Sequence, residues 1–237
     1  MKPISVTHLY PKEMNLYGDT GNRIVLEQRM KWRGIPYRVH LISEGDVIPE
    51  STDILLGGGG QDASQGSIEK DFLSKQDSLD RLVDKGTVVL MICGMYQMLG
   101  RKFVTSEGVE IEGLDILPLE TRAESGRLIG NISVDMDGMV LVGYENHSGR
   151  TYLDPGAMPL AKVLRGKGNN DADMTEGCRY KNVFGSYMHG PLLSKNTDFA
   201  DLLIRLALEK NGSTVGLKPL DDSLEQTARK VAITRPR

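Results

Sequence analysis

Cysteine is nearly absent from this chain, with two in 237 residues, Cys93 and Cys178. So few thiols build no disulfide framework, and the chain is expected to work in a reducing compartment, the cytoplasm. Aromatic residues make up only 5% of the sequence, so the core must rest on Leu, Ile, Val and Met. No apolar run is long enough to span a bilayer, and the opening Met1-Lys2-Pro3-Ile4-Ser5 has no hydrophobic signal region. Basic residues are not in excess, the net charge being -3, which argues against nucleic acid as a partner. No Cys or His pair has zinc spacing, so no resident metal is expected. A glycine run does occur, Gly57 to Gly60, but Gln61-Asp62-Ala63 follows it where a phosphate loop needs Gly-Lys-Ser/Thr. The spaced glycines of a dinucleotide fingerprint are also missing.

The remaining composition, 39% hydrophobic and 26% charged, is that of a soluble globular protein. Residues 4–10, 37–41, 53–56 and 88–92 read as strands. A helix is expected after the turn-rich segment 15–22, capped by Asp19 or Thr20 and ended by Gly34. A single second helix is expected over 67–85, closed by Gly86. Strands alternating with helices imply an α/β fold with a doubly wound, mostly parallel sheet flanked by helices. In such sheets ligands bind beyond the carboxyl ends of the strands, so the glycine run and Cys93 should face one crevice. From Glu110 onward the chain reads as a β-rich second half, with short strands at 128–134, 139–144, 161–164 and 183–188 and a turn at Asp137-Gly138. A helix over 196–210 closes a single domain spanning 1–210. The polar tail, 211–237, has one candidate helix over 220–233.

Val88-Val89-Leu90-Met91-Ile92-Cys93-Gly94 reads as a buried strand, a sharp turn with a thiol at its tip, and a helix start. That arrangement presents a nucleophile at a sheet edge, although a buried structural cysteine fits it as well. A nucleophilic cysteine needs a base. His8 and His40 fall in early strands and read as structural, while His147 lies in a polar segment that could be loop or binding surface. His189 ends an apolar strand and opens a Gly-Pro turn, so it shares with Cys93 a place at a strand terminus. The glycine run could donate amides to an oxyanion or be a flexible turn. Arg127 precedes an apolar strand and is either a solvated arginine or a clamp on a carboxylate. Cys178 reads as a bystander.

Cys93-Gly94-Met95-Tyr96-Gln97 resembles the nucleophile motif of class I glutamine amidotransferases, most closely that of the cobyric acid synthase-like branch. Segments 15–22, 58–62, 126–131, 145–151, 168–170 and 185–193 resemble, in collinear order, the glutaminase subunits of lipid II isoglutaminyl synthases within that branch. The resemblance implies that Cys93 attacks the carboxamide of L-glutamine and forms a γ-glutamyl thioester. It makes His189 the general base and then acid, and gives the oxyanion to Gly59 or Gly60 together with the Gly94 amide. Gln97 would help to place the substrate, and Arg127 would bind its α-carboxylate. It further implies a heterodimer in which a Mur-ligase-like partner holds ATP and Mg²⁺, this chain holding no cofactor. That partner would use the ammonia to amidate the D-glutamate α-carboxyl of lipid II, at the inner face of the membrane. A different acceptor, such as a corrinoid acid, is an alternative, and so is a catalytically silent scaffold for a ligase. Two departures stand out. Class I enzymes usually carry Glu two residues after the histidine, and here that position is Pro191, so an acidic residue from the partner is expected to complete the site. Met95 stands where glycine is common, so the turn is expected to be looser or Met95 to point into the crevice.

Overall fold

The computed structural model describes residues 2–214 and 216–235. Met1 and, from the expected tail, Val215, Pro236 and Arg237 lie outside the described residues. The chain opens with β1 (Ile4–Leu9), α1 (Thr20–Trp32), β2 (Tyr37–Ile42), β3 (Ile54–Gly57), α2 (Asp62–Ser74), α3 (Gln76–Asp84) and β4 (Val88–Ile92). Then come α4 (Gly94–Met98), β5 (Lys102–Val104), β6 (Glu110–Glu112), β7 (Leu119–Met136), β8 (Met139–Leu153), β9 (Ala161–Arg165), β10 (Thr175–Glu176), β11 (Cys178–Tyr180) and β12 (Val183–Ser186). Two helices close the chain, α5 (Thr197–Lys210) and α6 (Ser223–Thr234).

The first sheet has the order β11-β12-β4-β3-β1-β2. Every pairing in it is parallel except β11 with β12. Strands β1, β3 and β4 are buried along their whole length, as expected of parallel strands covered on both faces. Helix α5 packs on this sheet through Phe199, whose ring meets Phe184 edge-on at 5.6 Å. The second sheet runs β10-β9-β7-β5-β6, with β8 paired to β7. The chain therefore builds its second half as a largely antiparallel sheet and then returns β12 to the first, beside β4. That return carries the segment after Ser186 to the same edge as Cys93. Among the described residues no helix is long and apolar enough to cross a membrane.

Two expectations about elements are corrected. The single helix over 67–85 is two helices that meet at Lys75, whose φ of -92° and ψ of 0° leave the helical region. Its amide donates to Phe72 in a tightened last turn, while its ammonium pairs with Asp71 at 2.7 Å. The short strands at 128–134 and 139–144 are the inner part of a long hairpin whose register runs from Leu119 opposite Leu153 to Met136 opposite Met139. The polar segment around His147 is thus strand, not loop. Polar residues there read as a loop because that stretch faces a cavity, which removes the apolar alternation of a half-buried strand. The pairing is interrupted between Ala123 and Leu128. There Gly126 takes φ +78°, a conformation that glycine adopts without strain, and Arg127 follows it.

Candidate active site

The site lies at the carboxyl edge of β1, β3, β4 and β12, where four chain segments converge. Strand β4 ends in Cys93, which has φ +50° and ψ -106°. Few residues with a Cβ hold a positive φ, and those that do concentrate at functional turns. The Cys93 amide donates to Ser186 O at 2.8 Å and its carbonyl receives the Gln97 amide at 2.9 Å, so the turn is tied to β12 on one side and α4 on the other. A Cβ on Gly94 would lie 2.8 Å from the Met14 methyl and 3.2 Å from both Gly60 N and the Gln65 carboxamide. A side chain after the thiol would displace the Met14 methyl and crowd the Gly60 amide. Met95 does not enter the crevice: it is fully buried and packs on Gly57, where a Cβ would meet its Cγ at 2.9 Å. The expectation that Met95 points into the crevice is therefore corrected.

His189 follows β12 and is clipped to Tyr144 of β8 by a pair of backbone hydrogen bonds of 2.8 and 3.1 Å. Its Nδ1 lies 3.1 and 3.3 Å from the two carboxylate oxygens of Asp19. A carboxylate only accepts, so Nδ1 carries the hydrogen and Nε2 is left for Cys93. Burial opposes charge on the imidazole, but the Asp19 carboxylate and the Cys93 sulfur outweigh it and push the His189 pKa up to about 10. The ring of Tyr17 covers His189 at 4.4 Å between centroids. A Cβ on Gly59 would sit 2.7 Å from His189 Cε1, 3.2 Å from the Cys93 Cβ and 3.3 Å from Asp19 Oδ2, so the three side chains meet over one glycine.

Asp19 corrects the expectation that an acidic residue from the partner completes the site. The carboxylate is in this chain and comes from the start of α1. Pro191 stands where the usual Glu would be, and it packs directly on Gly21 in the first turn of α1. That contact brings α1, with Asp19 before it, to the Nδ1 side of the imidazole. From the sequence Asp19, like Thr20, is a candidate helix cap. It does hold the N-cap position, but its side chain makes no capping bond. Its place beyond the carboxyl end of β1, at the same sheet edge as Cys93, was the signal available.

The oxyanion assignment is divided. The Gly59 amide donates to Asp19 Oδ2 at 2.8 Å, so Gly59 orients the acid and is not an oxyanion donor. Gly60 and Gly94 have amides that no acceptor among the described residues takes up, and they lie side by side next to the thiol. A cavity of about 450 Å³ opens over this point, lined by Gly60, Cys93, Gln97, Arg127, Asn146 and His147, among others. Gln97 is buried with its amide engaged on both sides, accepting from Gln65 at 2.9 Å and donating to Tyr187 at 3.0 Å. It thus shapes the cavity wall. Arg127 is exposed, with Nε 2.8 Å from Asn146 Oδ1 and Nη2 2.9 Å from Asn146 O, its charge unpaired by any carboxylate among the described residues. Cys178, by contrast, is buried and its pKa is pushed up to about 12 by burial, which leaves it inert. His8 and His40 stand in β1 and β2, away from the cavity lining.

Fold and sequence family together make the chain an enzyme of the glutamine amidotransferase class. The chain belongs to the CobB/CobQ-like glutamine amidotransferase domain family, whose model matches residues 5–197. Along its whole length it is similar to the GatD subunit of lipid II isoglutaminyl synthase (glutamine-hydrolyzing) from Staphylococcus aureus, with 40% identity over 99% of this chain and 97% of that protein. It is similar to the GatD subunit of Streptococcus pneumoniae at 40% identity, over 94% of this chain and 88% of the relative. Among solved structures it resembles PurLQS from Thermotoga maritima with a TM-score of 0.59, at 12% identity over 89% of this chain and 97% of the other; that likeness is one of fold.

Proposed function

We propose that this chain is the glutaminase subunit of a two-component enzyme that amidates lipid II. The observation that carries the glutaminase reading is the meeting of Cys93, His189 and Asp19 over Gly59, at the floor of a cavity that Arg127 borders. L-Glutamine binds with its α-carboxylate on Arg127 and its carboxamide over Cys93. The sulfur attacks the carboxamide carbon, and the oxygen, now negative, is held by the Gly60 and Gly94 amides. His189 passes a proton to the departing ammonia and a γ-glutamyl thioester remains. Water, deprotonated by His189, then releases glutamate and restores the thiol. Asp19 holds the imidazole in the required tautomer throughout.

In this reading a second subunit activates the acceptor. The ammonia passes to a Mur-ligase-like partner that uses ATP and Mg²⁺ to convert the D-glutamate α-carboxyl of lipid II to D-isoglutamine. Because lipid II is membrane-bound, the heterodimer would work in the cytoplasm against the inner face. The end-to-end similarity to the two GatD subunits supports this acceptor.

The test is ammonia release from L-glutamine by the chain alone and with the ligase subunit, followed by lipid II amidation with ATP. Because the carboxylate is built in, the chain alone should hydrolyse glutamine. Cys93→Ala should abolish amidation from glutamine while leaving amidation from added ammonia. Equal amidation from glutamine by wild type and Cys93→Ala would defeat the reading.

A further inference from the structure

The peptide that joins Gly94 to Met95 is gripped from both sides by the segment that carries Gly60. Its N–H donates to Gly58 O at 3.3 Å, and its carbonyl receives Nε2 of Gln65 at 3.2 Å. Gln65 is 1% exposed and stands in the first turn of α2, where its amide donates back to Gln61 O at 3.0 Å. Helical side chains lean toward the N-terminus of their helix, so this carboxamide reaches back beside Gly60 to the elbow. A carbonyl only accepts, which fixes the nitrogen of Gln65 on the Gly94 side. Nε2 also donates to Gln97 Oε1 at 2.9 Å, and Gln97 in turn donates to the Tyr187 hydroxyl at 3.0 Å. The nitrogen of a buried carboxamide thus spends its hydrogens on α4, the helix that Cys93 opens.

A residue that only filled space there would be apolar, because a carboxamide is costly to desolvate. What the two bonds add is position. Gly60 and Gly94 must aim their amides at one oxygen atom, yet they belong to different elements, the loop after β3 and the start of α4. No short stretch of chain sets the distance between them. Gly58 and Gln65 bracket Gly60 in the sequence, and both hold the Gly94–Met95 peptide, so together they fix one amide against the other. We propose that Gln65 is a positioning residue for the oxyanion, which acts through Gly94 to keep the Gly60 and Gly94 amides aimed at one point. This rests on the glutamine-hydrolysing reading above and deepens it.

The experiment uses the full chain, alone and with its ligase subunit, and compares wild type with two variants. Gln65→Met keeps the length of the side chain and removes its donors. Gln65→Glu keeps the shape and sets acceptors against Gly94 O and Gln97 Oε1. Ammonia release from L-glutamine should fall about 10- to 100-fold in kcat in Gln65→Met and further in Gln65→Glu, with KM close to wild type. Donors that drift off the developing oxyanion cost the transition state and not the bound substrate. L-Glutamate γ-semialdehyde is attacked by the Cys93 sulfur, the thiol proton passing to the aldehyde oxygen to leave a tetrahedral hemithioacetal, so its affinity should weaken together with kcat. Alkylation of Cys93 by iodoacetamide, which expels iodide and forms no oxyanion, should keep its wild-type rate. Wild-type kcat in either variant overturns the proposal. So does an alkylation rate that falls as far as kcat, which marks a general loosening of the elbow, or a loss carried wholly by KM. In wild type the Gln65 carboxamide hydrogens should exchange slowly with solvent by NMR, and rapid exchange overturns the proposal whether or not a variant folds. No ammonia from L-glutamine with wild type, even in the complex, overturns the glutaminase reading itself, whereas normal wild-type turnover with an unaffected Gln65→Met overturns only the role of Gln65.

Discussion

Asp19 is the residue whose role changes most between sequence and structure. It holds the tautomer of His189 and receives the Gly59 amide at 2.8 Å. Asp19→Asn should therefore leave the fold intact but place an amide against Nδ1, allowing the imidazole to flip its tautomer. Glutamine hydrolysis should fall by about 10³- to 10⁴-fold in kcat, read as ammonia release, with thermal stability close to wild type. The other buried histidines govern stability instead. His8 is lowered to about 4 by burial, with Arg23 adding to the effect, and His147 to about 3 by burial. An unfolded histidine takes its proton near pH ~6.5. As pH falls through that value the unfolded chain binds protons that the folded chain does not, so stability drops. The loss should reach roughly 2 kcal/mol for each histidine by about pH 5, and urea denaturation of His8→Asn should show a shallower acid decline than wild type. His189 has the opposite sign: its folded-state pKa is raised, so its contribution is full below ~6.5 and lost as pH rises toward the folded value.

At the scale of elements, the loop before α1 and the glycine run after β3 act as one unit. A Cβ on Gly58 would lie 2.2 Å from Met14 O and 2.9 Å from the Asp19 Cβ. Neither contact is with the far end of a flexible side chain, so the loop itself must move. Gly58→Ala should cost about 1–3 kcal/mol of stability, measured by urea unfolding. It should also lower glutamine turnover, because the shift carries Asp19 away from His189. Much of this layer was legible beforehand. The apolar run 88–92 ending in a thiol, the glycines after a short strand and a histidine at a strand end all specify one sheet edge. What escaped was whatever depends on contact across the fold. Asp19 looks like a helix cap because caps and triad acids share one residue type and one place before a helix. The break at Lys75 carries no glycine or proline to announce it. The bulge at Gly126 is visible only once β7 and β8 are paired.

Across the whole molecule, buried charge decides how the tail is held. Arg29, on α1 and 2% exposed, donates Nε to Asp201 of α5 at 2.7 Å and Nη1 to Asp222, just before α6, at 2.6 Å. Arg33 adds a second pair of bonds to Asp201, at 2.9 and 2.5 Å, and donates Nε to Lys218 O at 2.8 Å. Helix α6 itself has no buried residue, so its apolar contacts alone would hold it weakly. Yet Ala228 and Val231 line a second cavity together with His189. The two aspartates should therefore behave differently when removed. Asp201→Ala leaves Arg29 bonded twice to Asp222 but takes from the buried Arg33 side chain its only carboxylate among the described residues, an expected loss of about 3–5 kcal/mol in global stability. Asp222→Ala leaves Arg29 still bonded twice to Asp201, so the main body should lose far less. What it releases is the tail: hydrogen exchange and proteolysis should rise across the segment from Gly212 to α6, with the sheet strands protected as before. Equal global losses from the two substitutions would mean that the tail is an integral part of the core. A large loss confined to Asp201→Ala would mean that α1 and α5 form the body and that the arginines hold the tail against it.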